Sequence, residues 1–191
     1  MRRAVAVLVI VVVLVIAAAV VNLLMRGVSA RDQPTRAEVV VARTMRRFAI
    51  PMKLRSLKNP IPMSAAALEE GRAHFADHCA QCHGNDGRGQ TEMGRSLYPR
   101  APDMTLPETQ KLSDGELFAI IRNGVRLTGM PGWAGEHSEQ DDWKLVLFIR
   151  HLPRMTKEEA ESMKALNPVS PMEMREEQDE REFLSGGDSH K

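Results

Sequence analysis

Eighteen consecutive apolar residues, Ala4 to Val21, constrain this chain more than any other stretch of it. A helix rises about 1.5 Å per residue, and Asn22, Leu23, Leu24 and Met25 carry the run toward Arg26, so the segment can cross a hydrocarbon core of roughly 30 Å. The rival is a secretory signal, because Val28-Ser29-Ala30 resembles a small-residue cleavage site. The apolar region of such signals is about 7–15 residues long. Here the run is longer, and Met25, Arg26 and Gly27 separate it from the cleavage-like site. Residues 1–30 are therefore expected to form an uncleaved transmembrane anchor. Arg2 and Arg3 precede the run while Arg26, Arg31, Arg36 and Arg43 follow it closely, so a bare charge count would leave the larger part of the chain in the cytoplasm.

A net charge of +1 conceals a strong polarity. Residues 31–60 carry eight Lys or Arg against two Asp or Glu, residues 64–155 carry ten against thirteen, and residues 156–191 carry five against ten. No basic block coincides with interleaved aromatics, which argues against nucleic-acid binding. Pro34, Pro51, Pro60 and Pro62 punctuate residues 31–63, which read as a basic linker with no packed element. If flexible, it spans on the order of 30 Å, and its basic residues suit anionic lipid headgroups. The last segment, residues 156–191, reads as a charged, partly helical and mostly solvated tail.

Between them, residues 64–155 have the pattern of an all-α domain with long loops. Ser64 can cap a helix whose Leu68, Gly71, Phe75 and Cys79 fall on one face. Ser113 and Glu116 form a capping box ahead of Leu117, Ile120 and Ile121, and Gly124 can stop that helix. Ser138 precedes a third helix with Trp143, Val146, Leu147 and Arg150 on one stripe, ended by Pro153, and Gly71 and Phe75 of the first helix are expected to pack against it around Trp143 and Leu147. So few aromatics make a small core for about ninety residues, and a bound macrocycle would supply the missing apolar centre.

The two cysteines of the chain stand three positions apart in Cys79-Ala80-Gln81-Cys82-His83. A disulfide framework needs more pairs at wider spacing, and a structural zinc site normally needs four Cys or His ligands in two separated clusters. A redox Cys-x-x-Cys of the thioredoxin kind expects a βαβ setting, which the helical pattern does not offer. The spacing is that of c-type haem attachment: two sulfurs reach the two vinyl-derived carbons at one porphyrin edge, and the adjacent histidine turns beneath the ring to the iron. One haem c is thus expected, held covalently by Cys79 and Cys82 with His83 as an axial ligand.

On these residues the chain resembles the class I c-type cytochromes, over about half its length. Gly71 and Phe75, Cys79 to Gly84, the Pro102-Asp103-Met104 turn, Met130-Pro131 and a final helix from near Asp141 carry the likeness. The resemblance implies an all-α fold of three main helices around one haem, preceded here by a transmembrane helix. It also implies a sixth iron ligand from a methionine on a loop after the middle helix. Met130, within Thr128-Gly129-Met130-Pro131-Gly132-Trp133, stands in that place. A thioether is a soft neutral ligand, and flanking glycines let backbone approach the haem. With twelve methionines in the chain, Met93, Met104 and Met155 compete on composition, as does His137. Pro102 resembles the proline whose carbonyl receives the axial histidine's ring N–H, its alternative being an ordinary turn. Trp133, Tyr98, Arg95, Arg100 and Arg126 are candidates for meeting the propionates.

Covalent haem attachment in bacteria is completed outside the cytoplasmic membrane, so the motif implies a periplasmic haem domain, against the charge count. The expected role is single-electron transfer between redox-partner proteins of a respiratory chain at the bacterial cytoplasmic membrane, with both axial positions filled and no catalytic residues. The alternatives are a haem subunit through which electrons enter a larger oxidoreductase, and a small-ligand sensor in which Met130 is displaced. The stretch between His83 and Pro102 is longer than in the most compact class I cytochromes, and the segment after Arg154 has no counterpart in them.

Overall fold

The computed structural model describes residues 2–26, 29, 32–168, 175, 180 and 181. Helix α1 (Arg2–Arg26) is apolar around its whole circumference, and its described large side chains stand open, from 47% exposed at Val12 to 83% at Met25. It is the one helix among the described residues long and apolar enough to cross a membrane. Val28 and Ala30 of the cleavage-like site lie outside the described residues.

The stretch read as an unpacked linker contains two helices. Thr35 caps α2 (Arg36–Ala49) with a complete capping box, its hydroxyl accepting from the Glu38 amide while the Glu38 carboxylate accepts from the Thr35 amide. Pro51 precedes the single turn of α3 (Met52–Arg55). From there the chain is fastened to the domain. Ser113 Oγ donates to the Arg55 carbonyl at 2.7 Å, Asn59 Nδ2 donates to the Trp143 carbonyl at 2.8 Å, and Leu57 and Ile61 pack against the core. The prolines punctuate this segment without freeing it.

The domain proper follows the predicted order. Ser64 caps α4 (Ala65–His74), which runs through one π-helical turn (Phe75–Cys79) into α5 (Ala80–His83). Short helices α6 (Glu92–Ser96) and α7 (Pro107–Gln110) lead to α8 (Asp114–Asn123), started by the Ser113/Glu116 capping box and stopped at Gly124. Helix α9 (Glu139–His151) starts at Ser138, with Asp141 completing its capping box, and passes into a 3-10 turn (Leu152–Arg154) at Pro153. No strand forms among the described residues beyond one isolated bridge between Ala134 and His137.

Two helix crossings build the core. Helices α4 and α9 meet where Gly71 lies against the backbone of Lys144; a Cβ there would run into the Lys144 carbonyl, so only glycine permits the approach. One turn further, Phe75 and Phe148 rings meet at 4.9 Å between centroids, and both side chains are sealed from solvent. The expectation that Trp143 and Leu147 face the first helix is off by one position. Lys144 and Phe148 take that face, and Trp143 instead stacks on Phe118 of α8 at 4.1 Å, joining α8 to α9. Arg150 clamps the same pair, donating to Asp114 Oδ1 at 2.8 Å and to the Gln110 carbonyl at 2.7 Å.

Part of the expected tail also belongs to the packed unit. Thr156 caps α10 (Lys157–Ser162), and the following 3-10 turn (Met163–Leu166) places Met163 fully inside the core, 0% exposed. A charged composition concealed this because one inward methionine suffices to anchor two turns whose other side chains are mostly polar. Most of the chain after residue 168 lies outside the described residues.

Candidate haem site

The cysteines owe their placement to the change of helical pitch. Across the π turn the Ala80 amide donates to the Phe75 carbonyl; the single turn of α5 follows, and Gly84 ends it with φ at 73° while donating to the Ala80 carbonyl at 2.7 Å. Cys79, Cys82 and His83 therefore share about one turn and a half of backbone. Both thiols are free and half-buried. Burial pushes the Cys79 thiol up to about 12, with the neighbouring Cys82 adding to it, and raises Cys82 as well. Neither sulfur is poised as an exposed redox thiolate.

His83 is held neutral. Burial lowers its pKa to about 4, and the Pro102 carbonyl, acting as an acceptor toward the ring, offsets part of that drop. Its Nδ1 is buried and makes no hydrogen bond of normal geometry, so Pro102 is beside the ring without a fully formed bond. A neutral imidazole is the state in which histidine binds a metal. Two unpaired thiols and a neutral, half-buried imidazole on consecutive turns fit a covalently attached haem.

The loop between α5 and α8 frames this turn. The Gly89 amide donates to the His83 carbonyl at 2.7 Å and Thr91 Oγ1 donates to the Cys82 carbonyl at 3.0 Å. Gly94 in α6 lies so close to the Cys82 carbonyl that a side chain there would collide with it. Immediately after α6, Leu97 rests its side chain against Gly129, and Met130 is the next residue. The added length between His83 and Pro102 is thus the part that links the cysteine turn to the Met130 loop. That loop is itself tied down: the Val125 amide donates to the Met130 carbonyl and the Met130 amide to Thr128 Oγ1, both at 3.1 Å.

Met130 is half-buried. Its competitors are placed differently: Met104 is buried in the core cluster, Met155 packs against that cluster, and Met93 is 45% exposed on α6. His137 is buried and turned toward His74 and Asp142. Among the propionate candidates, the Tyr98 hydroxyl donates to Glu38 of α2 at 3.3 Å, Arg95 donates to the Gln90 carbonyl at 2.6 Å, and Trp133 stacks on His137 at 4.7 Å. Arg126 is exposed.

Sequence reasoning missed the group around His137. Its visible signal was His74 and His78, spaced four apart on a predicted helix, but neither their partner His137 nor the buried Asp142 could be joined to them from spacing.

Residues 66–149 match the protein family described as cytochrome C oxidase, cbb3-type, subunit III. The chain is 34% identical over 97 residues to the Cbb3-type cytochrome c oxidase subunit FixPc of Rhizobium leguminosarum bv. viciae, covering 48% of this chain and 30% of that protein. It is 33% identical over 92 residues to the subunit CcoP of Cereibacter sphaeroides, covering 46% and 28%. The chain thus spans about a third of the length of these curated relatives. Among solved structures, a chain of the Kuenenia stuttgartiensis reducing HAO-like protein complex Kustc0457/Kustc0458 aligns with a TM-score of 0.44 at 21% identity, covering 51% of this chain and 49% of that one. The Cys-x-x-Cys-His turn, the helical fold around it and the family match over residues 66–149 together identify the folded part of this chain as a c-type cytochrome domain, whose cofactor is covalently bound haem c.

Proposed function

We propose that this chain is a membrane-anchored, monohaem electron-transfer protein acting on the periplasmic side, and that it serves as the haem subunit through which electrons enter a larger membrane oxidoreductase. Cys79 and Cys82 hold the haem as thioethers, His83 and Met130 ligate the iron, and Pro102 orients His83. When bound, haem c supplies a one-electron couple. The residues around it keep that couple simple: burial holds His83 neutral, and the hydrogen-bonded Met130 loop presents a neutral thioether that suits iron in either oxidation state. The observation that carries the reading is the short stretch of helical backbone bearing two free thiols and one half-buried neutral imidazole.

The relatives' names favour the subunit reading over a free shuttle, since both name an oxidase subunit. Anchoring draws on α1 and on α2. Val41, Met45 and Phe48 recur at the spacing of one face of α2, and all three are more than half exposed. The half-buried residues of α2, Val39, Arg46 and Ile50, lie on its opposite side, and Arg46 is close enough to feel Glu116 at the start of α8. An apolar stripe turned away from the domain, on a basic helix ten residues beyond an apolar helix, suits the membrane interface.

The test is the near-infrared spectrum of the oxidised, haem-loaded protein, where sulfur-to-ferric-iron charge transfer is seen. The wild type is expected to show the band and Met130→Ala to lose it while keeping its haem. Retention of the band in Met130→Ala would transfer the ligand role to another methionine. Purification from native membranes through a tag on this chain separates subunit from shuttle: a stoichiometric oxidase partner is expected, and a chain recovered alone with full haem would favour the shuttle.

A further inference from the structure

Three histidines converge outside the haem-attachment turn. His74 and His78 are spaced four apart, across the junction of α4 with the π turn, and His137 comes from the loop before α9. The ligand nitrogens of all three lie within 4.8 Å of one another, and His74 Nε2 is 3.0 Å from His137 Nε2. Two nitrogens bound at tetrahedral angle to one zinc ion, each about 2.0–2.1 Å away, are roughly 3.3 Å apart, so the observed separations bracket a shared ion.

Two neutral imidazoles can also simply hydrogen-bond to each other. Three further observations go beyond that. His137 has a side chain only 2% exposed, with Nδ1 facing Asp142 Oδ1 at 3.4 Å, and neither of these buried atoms has a hydrogen-bond partner of normal geometry. Asp142 is itself fully buried, its other oxygen accepting from Arg122 at 2.9 Å. A carboxylate behind one histidine nitrogen, with the other nitrogen aimed at further ligands, is the arrangement that orients imidazole on a metal. Trp133, stacked flat on His137, holds the ring in that plane. The far side is open, since His78 is 34% exposed, and Glu70, Asp77 and Asp141 line the neighbouring depression beside His74, a favourable route for a cation.

We infer that His74, His78 and His137 form a binding site for a divalent transition-metal ion of the zinc class, with Asp142 as the positioning residue behind His137 and the fourth coordination position open to water. Imidazole ligands suit zinc, copper and nickel, and zinc takes the tetrahedral arrangement without preference from its d electrons. The site shares no ligand with the proposed haem iron and does not depend on the electron-transfer reading.

The experiment is equilibrium dialysis of full-length, haem-loaded protein, first stripped with chelator, against Zn2+, with zinc and iron counted in the same sample. One zinc per iron is expected. His78→Ala, whose side chain is partly exposed and tolerates truncation, and His74→Ala should each weaken zinc binding more than about tenfold, the double variant abolishing it, with iron content and haem spectrum unchanged. His137→Ala carries a risk to folding because that side chain is buried, so the two α4-side variants decide. Absence of stoichiometric zinc in the wild type, or wild-type affinity in His74→Ala and His78→Ala, would overturn the assignment. Loss of haem would register separately as loss of iron.

Discussion

Helices α2 and α9 begin in the same way and end in opposite surroundings. Each has a hydroxyl N-cap, Thr35 or Ser138, answered three residues later by a carboxylate, Glu38 or Asp141, and each carries an apolar face. Helix α9 buries Trp143, Leu145, Val146, Leu147, Phe148 and Ile149. Helix α2 buries none of its side chains and leaves Phe48 79% exposed. A capping box and a periodic apolar stripe thus set where a helix starts and which side is greasy, but they do not say what the greasy side meets. In α9 the answer is α4 and α8. In α2 we assign it to the bilayer surface, because the stripe points away from the domain and the helix is basic and follows α1 closely.

The largest effect that sharpens this contrast is expected at Phe148. Its truncation to alanine removes a fully buried ring packed on Phe75 and should cost about 3–5 kcal/mol in urea unfolding of the haem-loaded protein. Phe48→Ala should change the same midpoint by less than about 0.5 kcal/mol, since its ring packs on nothing in the domain. Equal losses at the two positions would mean that the α2 stripe is covered by protein, and the contrast would fail.

A smaller signal tests the membrane side directly. With both native cysteines taken up by the haem in the proposed arrangement, Phe48→Cys offers one labelling site for an environment-sensitive dye, and Arg43→Cys, on the opposite face, a control. In vesicles containing anionic lipid, the label at position 48 is expected to shift to the blue and to be quenched by spin-labelled acyl chains, while the label at position 43 stays in water. Parallel behaviour at both positions would remove the interfacial assignment.

How much of this was legible in the sequence divides along the same line. The caps Ser64, Ser113 and Ser138 and the stop at Gly124 stand where local chemistry puts them, because a cap is satisfied within four residues of itself. The Cys-x-x-Cys-His turn was legible for the same reason. What escaped was long-range: Leu57 and Ile61 folding back on the core, Met163 filling it, the one-position rotation that gives Phe148 rather than Leu147 to α4, and the meeting of His137 with His74 and Asp142. Each depends on which face a distant segment presents, and neither proline content nor charge density reports that. Composition misled most at residues 31–63, where basic residues and prolines read as a tether although Thr35 and Glu38 spell a capping box as clear as the one at Ser113.

The smallest expected effect concerns α10, a third capped helix that lies between the two extremes: none of its own residues is buried, yet it leads into Met163. Thr156 Oγ1 accepts from the Glu159 amide at 3.1 Å, and the Glu159 carboxylate accepts from the Thr156 amide at 2.9 Å and meets His151 Nε2 at 3.1 Å. The Thr156 amide and then His151 hold Glu159 below its ordinary value of 4.5. A carboxylate whose pKa is depressed on folding contributes stability that is complete above its unfolded value and disappears as pH falls through the folded one. The contribution of this carboxylate to the packing of residues 157–166 should therefore be complete above its ordinary value of 4.5 and fall away as the pH drops below it. Thr156→Ala removes one half of the box and should cost about 0.5–2 kcal/mol at neutral pH. Hydrogen exchange of the Ala160 amide, which donates to the Thr156 carbonyl at 3.2 Å, reads both changes. Protection that persists unchanged in acid, after Glu159 is protonated, and in Thr156→Ala would show that Met163 alone holds the segment, placing α10 with α9 as a helix secured by burial rather than by its cap.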